Sequence, residues 1–183
     1  MDTGALNRLT RAIANGAVIG YPTDTIWGFG CDPGNEASVR RILAIKQRPV
    51  EKGLILLSSG LQYLEPYIRV TAAQKDQLLQ PVETPTTWLV QASDACPAWI
   101  RGSHPTVAIR ITDHPLLREL CESLELPLVS TSANRAAEPT ATSVEEMERL
   151  FGDELDFIVR GYETGGAQAS TIKSLETGAL LRS

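Results

Sequence analysis

Residues 106–130 read TVAIRITDHPLLRELCESLELPLVS and decide the fold class, because they predict a strand, a helix and a second strand in succession. The β-branched and apolar run Thr106–Ile111 predicts the first strand. Pro115–Leu124 predicts the helix, and Leu126–Ser130 predicts the second strand. Strands that interleave with helices in this way indicate an α/β protein.

Further elements follow on both sides of this stretch. A turn at Thr177-Gly178 joins the last two predicted strands into a hairpin, which favours a mixed parallel and antiparallel sheet over a purely parallel one. No repeat or low-complexity linker interrupts the chain, so we expect a single domain over residues 1–183. The sequence predicts helices from Asp2 or Thr3 to Ala14, over Glu36–Lys46 with Asn35 as its cap, over Thr71–Gln80, and from a capping box at Ser143 to Phe151, and strands over Ala17–Tyr21, Gly53–Ser58, Thr86–Gln91, Asp156–Arg160, Ser170–Ser174 and Ala179–Arg182.

The composition excludes several classes of protein. Of the 183 residues 43% are hydrophobic and 21% charged, as in ordinary globular domains. The longest aliphatic run, Leu54–Leu57, is far shorter than the roughly 20 residues that cross a bilayer, and the first 15 residues lack the apolar core of a signal peptide. We therefore expect a cytoplasmic protein without a membrane segment.

Cysteine and histidine are too few and too scattered for the usual metal or nucleophile sites. The three cysteines are widely spaced without a CxxC pair, which predicts inert thiols and neither a disulfide framework nor a zinc site. The two histidines lie ten residues apart, which is not a metal-ligand spacing. The sequence therefore predicts no metal ligands from side chains and no histidine-based triad.

Positive charge is concentrated locally in a chain whose net charge is −5. The net charge argues against a dedicated nucleic-acid binder. Between Glu36 and Lys52, however, five cations face two anions. Such a local excess is what an anion-binding cleft requires.

The segment KQRPVEK at 46–52 is the best candidate for a phosphate site, since no GxxxxGK[ST] motif is present. The guanidinium of Arg48 and the ammonium groups of Lys46 and Lys52 together suit a triphosphate. The alternative is that these cations only offset the negative C-terminal end of a helix dipole. The spacing alone favours this alternative slightly.

Two further features are ambiguous when taken alone. Ser130-Thr131-Ser132-Ala133-Asn134 follows a predicted strand, where open α/β sheets bind ligands, yet a polar turn would look the same. Arg110, inside an apolar strand, needs a partner if it is buried. A ligand carboxylate and a structural salt bridge are the two alternatives. The loop Pro22–Thr25 is rich in hydroxyl groups, and its proline predicts that it is exposed.

In their order along the chain these segments resemble the YrdC family of threonylcarbamoyl-AMP synthases. The resemblance rests on YPTDTIWGFGCD at 21–32, KQRP at 46–49 with Lys52, TVAIR at 106–110, STSAN at 130–134 and STI at 170–172. It covers nearly the whole chain, whose length matches the short, single-domain bacterial form. It implies a YrdC-like twisted mixed sheet flanked by helices, with a cationic concave cleft.

The resemblance also implies a function. A family member joins L-threonine, bicarbonate and ATP, with Mg²⁺, into threonylcarbamoyl-adenylate and releases pyrophosphate, without a prosthetic group. The product supplies the t6A modification at position 37 of tRNAs that read ANN codons, through a transferase complex that accepts the adenylate. A monomer with at most weak RNA binding is expected. The alternative is an RNA-binding module that grips tRNA or rRNA backbone with the same basic cleft.

Residue roles come from the same resemblance. Lys46 and Arg48 would be catalytic. Departures from the family pattern are Glu83-Thr84-Pro85 in place of Pro-Gly-Pro, and Ala136-Ala137 in place of Ser-Gly, where the backbone is less permissive than glycine would allow. Threonine would contact Thr25, Arg110 and Ser170, and ATP would contact Lys46, Arg48, Lys52, Thr106, Ser132, Asn134, Thr140 and Arg182.

Overall fold

The strands of the chain form one mixed sheet with helices on both faces. The computed structural model describes residues 1–166 and 168–182. Within these residues nine strands pair in the order β7-β1-β2-β6-β3-β5-β4-β8-β9. They are β1 (Ile19–Tyr21), β2 (Gly28–Gly30), β3 (Ile55–Ser58), β4 (Thr86–Gln91), β5 (Thr106–Ile111), β6 (Leu128–Ser132), β7 (Phe157–Ile158), β8 (Thr171–Ser174) and β9 (Leu180–Arg182).

Parallel and antiparallel pairs occur in the same sheet, as the sequence predicts. The pairs β1/β7, β3/β5 and β4/β8 are parallel, whereas β1/β2, β2/β6, β3/β6, β4/β5 and β8/β9 are antiparallel. The β8/β9 pair is the hairpin expected at the turn Thr177-Gly178. The mixed α/β fold class is thereby confirmed.

The helices begin at residues that can cap them. Asp2, Asn35 and Thr71 each accept a hydrogen bond from a main-chain N–H of the first turn that follows. At Ser143 the cap forms, but the Glu146 carboxylate bonds Thr142 instead of closing the predicted box. The helices are α1 (Thr3–Ala14), α2 (Glu36–Lys46), α3 (Ala72–Leu79), α4 (Ala98–Arg101), α5 (Pro115–Leu124) and α6 (Val144–Phe151), with 3-10 turns at Val50–Lys52, Leu61–Tyr63 and Glu65–Tyr67.

Two hydrophobic cores lie on opposite faces of the sheet. Successive side chains of a strand point to opposite faces, so Leu56 and Leu57 of β3 enter different cores. The core around Leu57 also contains the apolar sides of α1 and α5, and the other core contains that of α2. Because α1 and α5 cover only part of their face, the rest of it remains open for a cleft.

Two strands of the sheet differ from what the sequence predicts. The strand predicted at Leu126–Ser130 is displaced by two residues, because Leu128 pairs with Leu57 and Ser132 pairs with Gly28. The hydroxyl groups of residues 130–132 therefore lie within the end of β6 rather than after it. Strand β2, which the sequence did not predict, supplies the partner for Ser132.

Candidate active site

A cleft of about 360 Å³ opens on the uncovered face at the middle of the sheet. Ser130, Ile55, Ala108 and Leu89 are register partners across four adjacent strands, and all four line the cleft. Along β5, alternation places Thr106, Ala108 and Arg110 on this same face. At 3.3 Å per residue, Thr106 and Arg110 stand about 13 Å apart, so the cleft has two ends.

The loop Pro22–Thr25 is folded against the cleft and is not exposed as expected. The Thr23 and Thr25 side chains are buried, and their hydroxyl groups lie 2.9 Å apart. The N–H of Gly165 donates to Thr23 O and that of Gly166 to Thr25 O, each at 3.0 Å. A Cβ at Gly165 would lie 2.4 Å from Asp24 O, so only glycine allows this approach. A long-range contact thus covers a loop that looks solvated in the sequence.

Arg110 is held at one end of the cleft by this loop. Its side chain is buried, its Nη1 donates to Thr25 Oγ1 at 3.0 Å, and its Nη2 forms an ion pair with Asp24. Within the described residues both Nε and Nη2 are buried without a hydrogen bond of normal geometry, although Nη2 is in ion-pair contact with Asp24. The structural salt bridge is therefore present, and the guanidinium keeps N–H donors that no hydrogen bond uses.

Ser170, which directly precedes β8, and Arg182 of β9 line the cleft on the side of the last two strands. The Ser170 hydroxyl is buried and lies 2.7 Å from the hydroxyl of Thr87. Arg182 Nη2 donates to Ser170 O at 2.9 Å. Arg182 also lies near enough to Arg48 to contribute to lowering the pKa of Arg48, after burial, which is the larger cause. Arg182 therefore lies between Ser170 at one end of the cleft and Arg48 at the other.

The segment 46–52 places its three cations differently. Lys46 is buried beneath the end of β6, and its Nζ donates to oxygens of Ser132 and Asn134. Arg48 lines the cleft, and its Nη2 donates to Gly53 O at 3.1 Å. None of these hydrogen bonds goes to the last carbonyl groups of α2, so the structure shows no direct capping of the helix by these two side chains.

Lys52 lines the cleft beside a close contact between two main-chain segments, residues 51–53 and Gly102. Gly53 and Gly102 both have φ of +65°. A Cβ at Gly102 would lie 2.3 Å from Glu51 O, which excludes a side chain there. Arg101 and His104, which sequence analysis did not single out as site residues, also line the cleft.

The structure brings most of the expected site residues to one cavity. Lys46, Asn134 and Thr140 do not line it. Asn134 contacts the cavity-lining Ser132, whose hydroxyl donates to Asn134 Oδ1 at 2.6 Å. Thr140 precedes Ala141, whose N–H donates to Ala133 O. Asp24 and Arg101 are site neighbours that sequence reasoning missed, and the only signal was the position of Asp24 inside the quoted loop motif. The expected residues that line the cavity are Thr25, Arg48, Lys52, Thr106, Arg110, Ser132, Ser170 and Arg182.

Two kinds of titratable group are perturbed near the core. Burial, with a smaller contribution from Arg48, lowers the pKa of Lys46 to about 8. Burial raises the pKa of Cys31 and Cys121, and it raises that of Cys96 to about 11. All three thiols are therefore protonated near neutral pH and do not supply a nucleophile.

No helix in the part of the chain that the structure describes is long and apolar enough to cross a membrane. Across residues 1–166 and 168–182, no three or more His, Cys, Asp or Glu side chains are grouped to hold a metal ion.

The whole chain is similar to proteins of one family. A family model for Sua5, YciO and YrdC, described as telomere recombination, matches residues 11–183. A Pseudomonas aeruginosa protein named threonylcarbamoyl-AMP synthase is 44% identical over 173 residues, which are 94% of this chain and 93% of that protein. A Vibrio campbellii protein of the same name is 40% identical over 178 residues, 96% of each chain.

A solved structure supports the same relationship. The crystal structure of P. abyssi Sua5 complexed with L-threonine matches with a TM-score of 0.90 at 28% identity. The match covers 100% of this chain and 54% of that one, so the chain spans about half the length of that protein.

Proposed function

Because the chain belongs to the Sua5/YciO/YrdC family, we propose that its cleft joins L-threonine, bicarbonate and ATP into threonylcarbamoyl-AMP. It is an enzyme that uses threonine and ATP to supply the t6A modification of tRNA. The observation that carries the proposal is that one cavity contains both the Thr25, Arg110 and Ser170 group and the Arg48, Lys52 and Arg182 group.

Threonine would bind at the Arg110 end. Arg110 lines the cleft and its guanidinium keeps unused N–H donors for the α-carboxylate, and charge-assisted hydrogen bonds of this kind are the strong ones. The hydroxyl groups of Thr25 and Ser170 lie at the same end and would meet the polar atoms of threonine. That P. abyssi Sua5 forms a complex with L-threonine supports threonine as a ligand.

ATP would bind at the other end. The guanidinium groups of Arg48 and Arg182 and the ammonium of Lys52 provide the positive charge that a triphosphate needs. The hydroxyl groups of Thr106 and Ser132 face the same space. Asn134 and Thr140, beside the loop after β6, would complete the nucleotide site, and the cations would make the cleft positive within a chain of net charge −5.

The proposed chemistry requires positioning and charge compensation. The threonine nitrogen attacks bicarbonate and water leaves. A carboxylate oxygen of the resulting carbamate then attacks the α-phosphorus, and the bond to the β-phosphate oxygen breaks to release pyrophosphate. Two like charges at 4 Å repel by about 4 kcal/mol at an effective dielectric of 20, so cations must offset this repulsion. No side-chain nucleophile takes part.

Mg²⁺ would enter with ATP and add further positive charge at the phosphates. Its ligands would be phosphate oxygens and water. The nine strands form one continuous sheet, which supports a single domain. We propose that it acts as a monomer in the cytoplasm. The adenylate would then pass to the transferase that modifies tRNA.

The test is release of pyrophosphate in reactions that each omit one substrate. The proposed enzyme releases pyrophosphate from ATP only when threonine and bicarbonate are both present. An RNA-binding module would release none under any condition. An ATPase would release phosphate or pyrophosphate without threonine, which would also contradict the proposal.

A further inference from the structure

Lys46 has no donor left for a ligand. It is the last residue of α2, and its side chain is 5% exposed. Its Nζ donates to Ser132 O, to Asn134 O at 3.0 Å and to Asn134 Oδ1 at 2.9 Å, with Ser132 Oγ at 3.3 Å. An ammonium group has three N–H donors, so these oxygens use all of them.

The oxygens that Lys46 binds belong to the loop that presents Ser132 to the cleft. Ser132 Oγ donates to Asn134 Oδ1 at 2.6 Å, so the orientation of this hydroxyl depends on where Asn134 is held. The N–H of Ala136 donates to Lys46 O at 2.9 Å, and Arg135 Nη1 donates to Ile45 O at 2.9 Å. The loop is therefore tied to the end of α2, with the Lys46 ammonium at its centre.

We propose that Lys46 is a positioning residue that acts on ATP only through Ser132 and Asn134, whereas Arg48 contacts the triphosphate directly. The inference rests on the proposed function of the cleft. Arg48 lines the cavity and Lys46 does not. A buried ammonium is stable only when its donors are satisfied, and withdrawing it toward a phosphate would leave the oxygens of the loop unpaired.

A double-mutant cycle separates the two roles. The variants are Lys46→Met, Asn134→Ala and the double variant, with Arg48→Ala and Arg48→Ala/Asn134→Ala as the matched cycle. The measurement is the Kd of a non-hydrolysable ATP analogue by calorimetry, together with the KM values for ATP and threonine. Loss of one hydrogen-bonded contact raises Kd by about tenfold.

The expected results differ between the cycles. If Lys46 acts through Asn134, the double variant Lys46→Met/Asn134→Ala binds about as weakly as either single variant, near tenfold. Arg48→Ala/Asn134→Ala, whose contacts are independent, loses about a hundredfold. Lys46→Met should raise the KM for ATP and leave the KM for threonine unchanged.

Two outcomes overturn the inference. A hundredfold loss in the Lys46→Met/Asn134→Ala variant would show that Lys46 has its own contact with the nucleotide. An equal rise in both KM values with a lower melting temperature would show a merely structural role. If Lys46→Met does not fold, Lys46→Gln, which keeps donor groups, takes its place in the cycle. Wild-type protein that binds the analogue but makes no adenylate would refute the proposed function and leave this cycle interpretable.

Discussion

Replacing Asp24 by asparagine removes the negative charge that faces Arg110 but keeps a side chain of nearly the same shape as aspartate. Arg110 is 5% exposed and Asp24 28%. Breaking a fully buried ion pair costs about 3 to 5 kcal/mol, because one charge is left uncompensated. Since water reaches Asp24, we expect a smaller cost of about 2 kcal/mol. For a chain of this length that lowers the melting temperature by about 4 to 8 °C.

Threonine should reverse part of this loss. Its carboxylate would supply the negative charge that Asp24→Asn removes, so the variant should bind threonine more tightly than the wild type. A tenfold lower Kd corresponds to about 1.4 kcal/mol of recovered stability at saturation. The assay is thermal unfolding of both proteins with and without threonine.

The matched control is Asp153→Asn, an exposed carboxylate near the end of α6 that should change neither quantity. The reasoning is refuted if Asp24→Asn melts within about 1 °C of the wild type. It is also refuted if threonine raises the melting temperature of both proteins equally, since Arg110 would then not be the carboxylate site.

Three further predictions concern the nucleotide end and the loop after β6. Arg48→Ala should melt near the wild-type temperature yet abolish threonine-dependent pyrophosphate release. Arg48→Lys should also be strongly impaired, because it loses the planar two-pronged donor. Normal turnover in both variants would instead favour the helix-dipole interpretation of Arg48. Because Lys46 has a pKa of about 8, it loses its proton as pH rises through that value, so the KM for ATP should rise above pH 8 in the wild type and show no such inflection in Lys46→Met. Ala137 has φ of +64°, so Ala137→Gly should stabilise the fold by about 0.5 to 1 kcal/mol in a melting assay, whereas Ala136→Gly in the same loop should not.

Capped helices and paired apolar strands could be predicted closely from the sequence. Asn35 and the periodic apolar residues after it give α2 its observed bounds, Glu36–Lys46. Strand β2 could not be found because Gly28-Phe29-Gly30 has no alternating pattern. It forms because β1 and β6 lie on either side and pair with it. Glycine is needed at position 30, because a Cβ there would lie 2.5 Å from Tyr21 Cε1.

Most candidate site residues were named from motifs, but their contacts depend on long-range structure. The sequence interpretation of Arg110 left a salt bridge and a ligand open, and the partner Asp24 lies 86 positions earlier in the chain. The partners of Lys46 lie as far away, at Ser132 and Asn134. Local spacing contains no information on such pairs, which the packing of loops and a helix end against the sheet brings together.

The most direct test of the central claim follows the carbon of bicarbonate into product. Protein is incubated with ATP, threonine and isotope-labelled bicarbonate, and the nucleotides are resolved by mass spectrometry. We predict an adenylate that contains both threonine and the labelled carbon, formed by the wild type and by Asp153→Asn but not by Arg48→Ala. An adenylate without the label, or no adenylate beside intact ATP, would contradict the assignment of this cleft as the site that joins the three substrates.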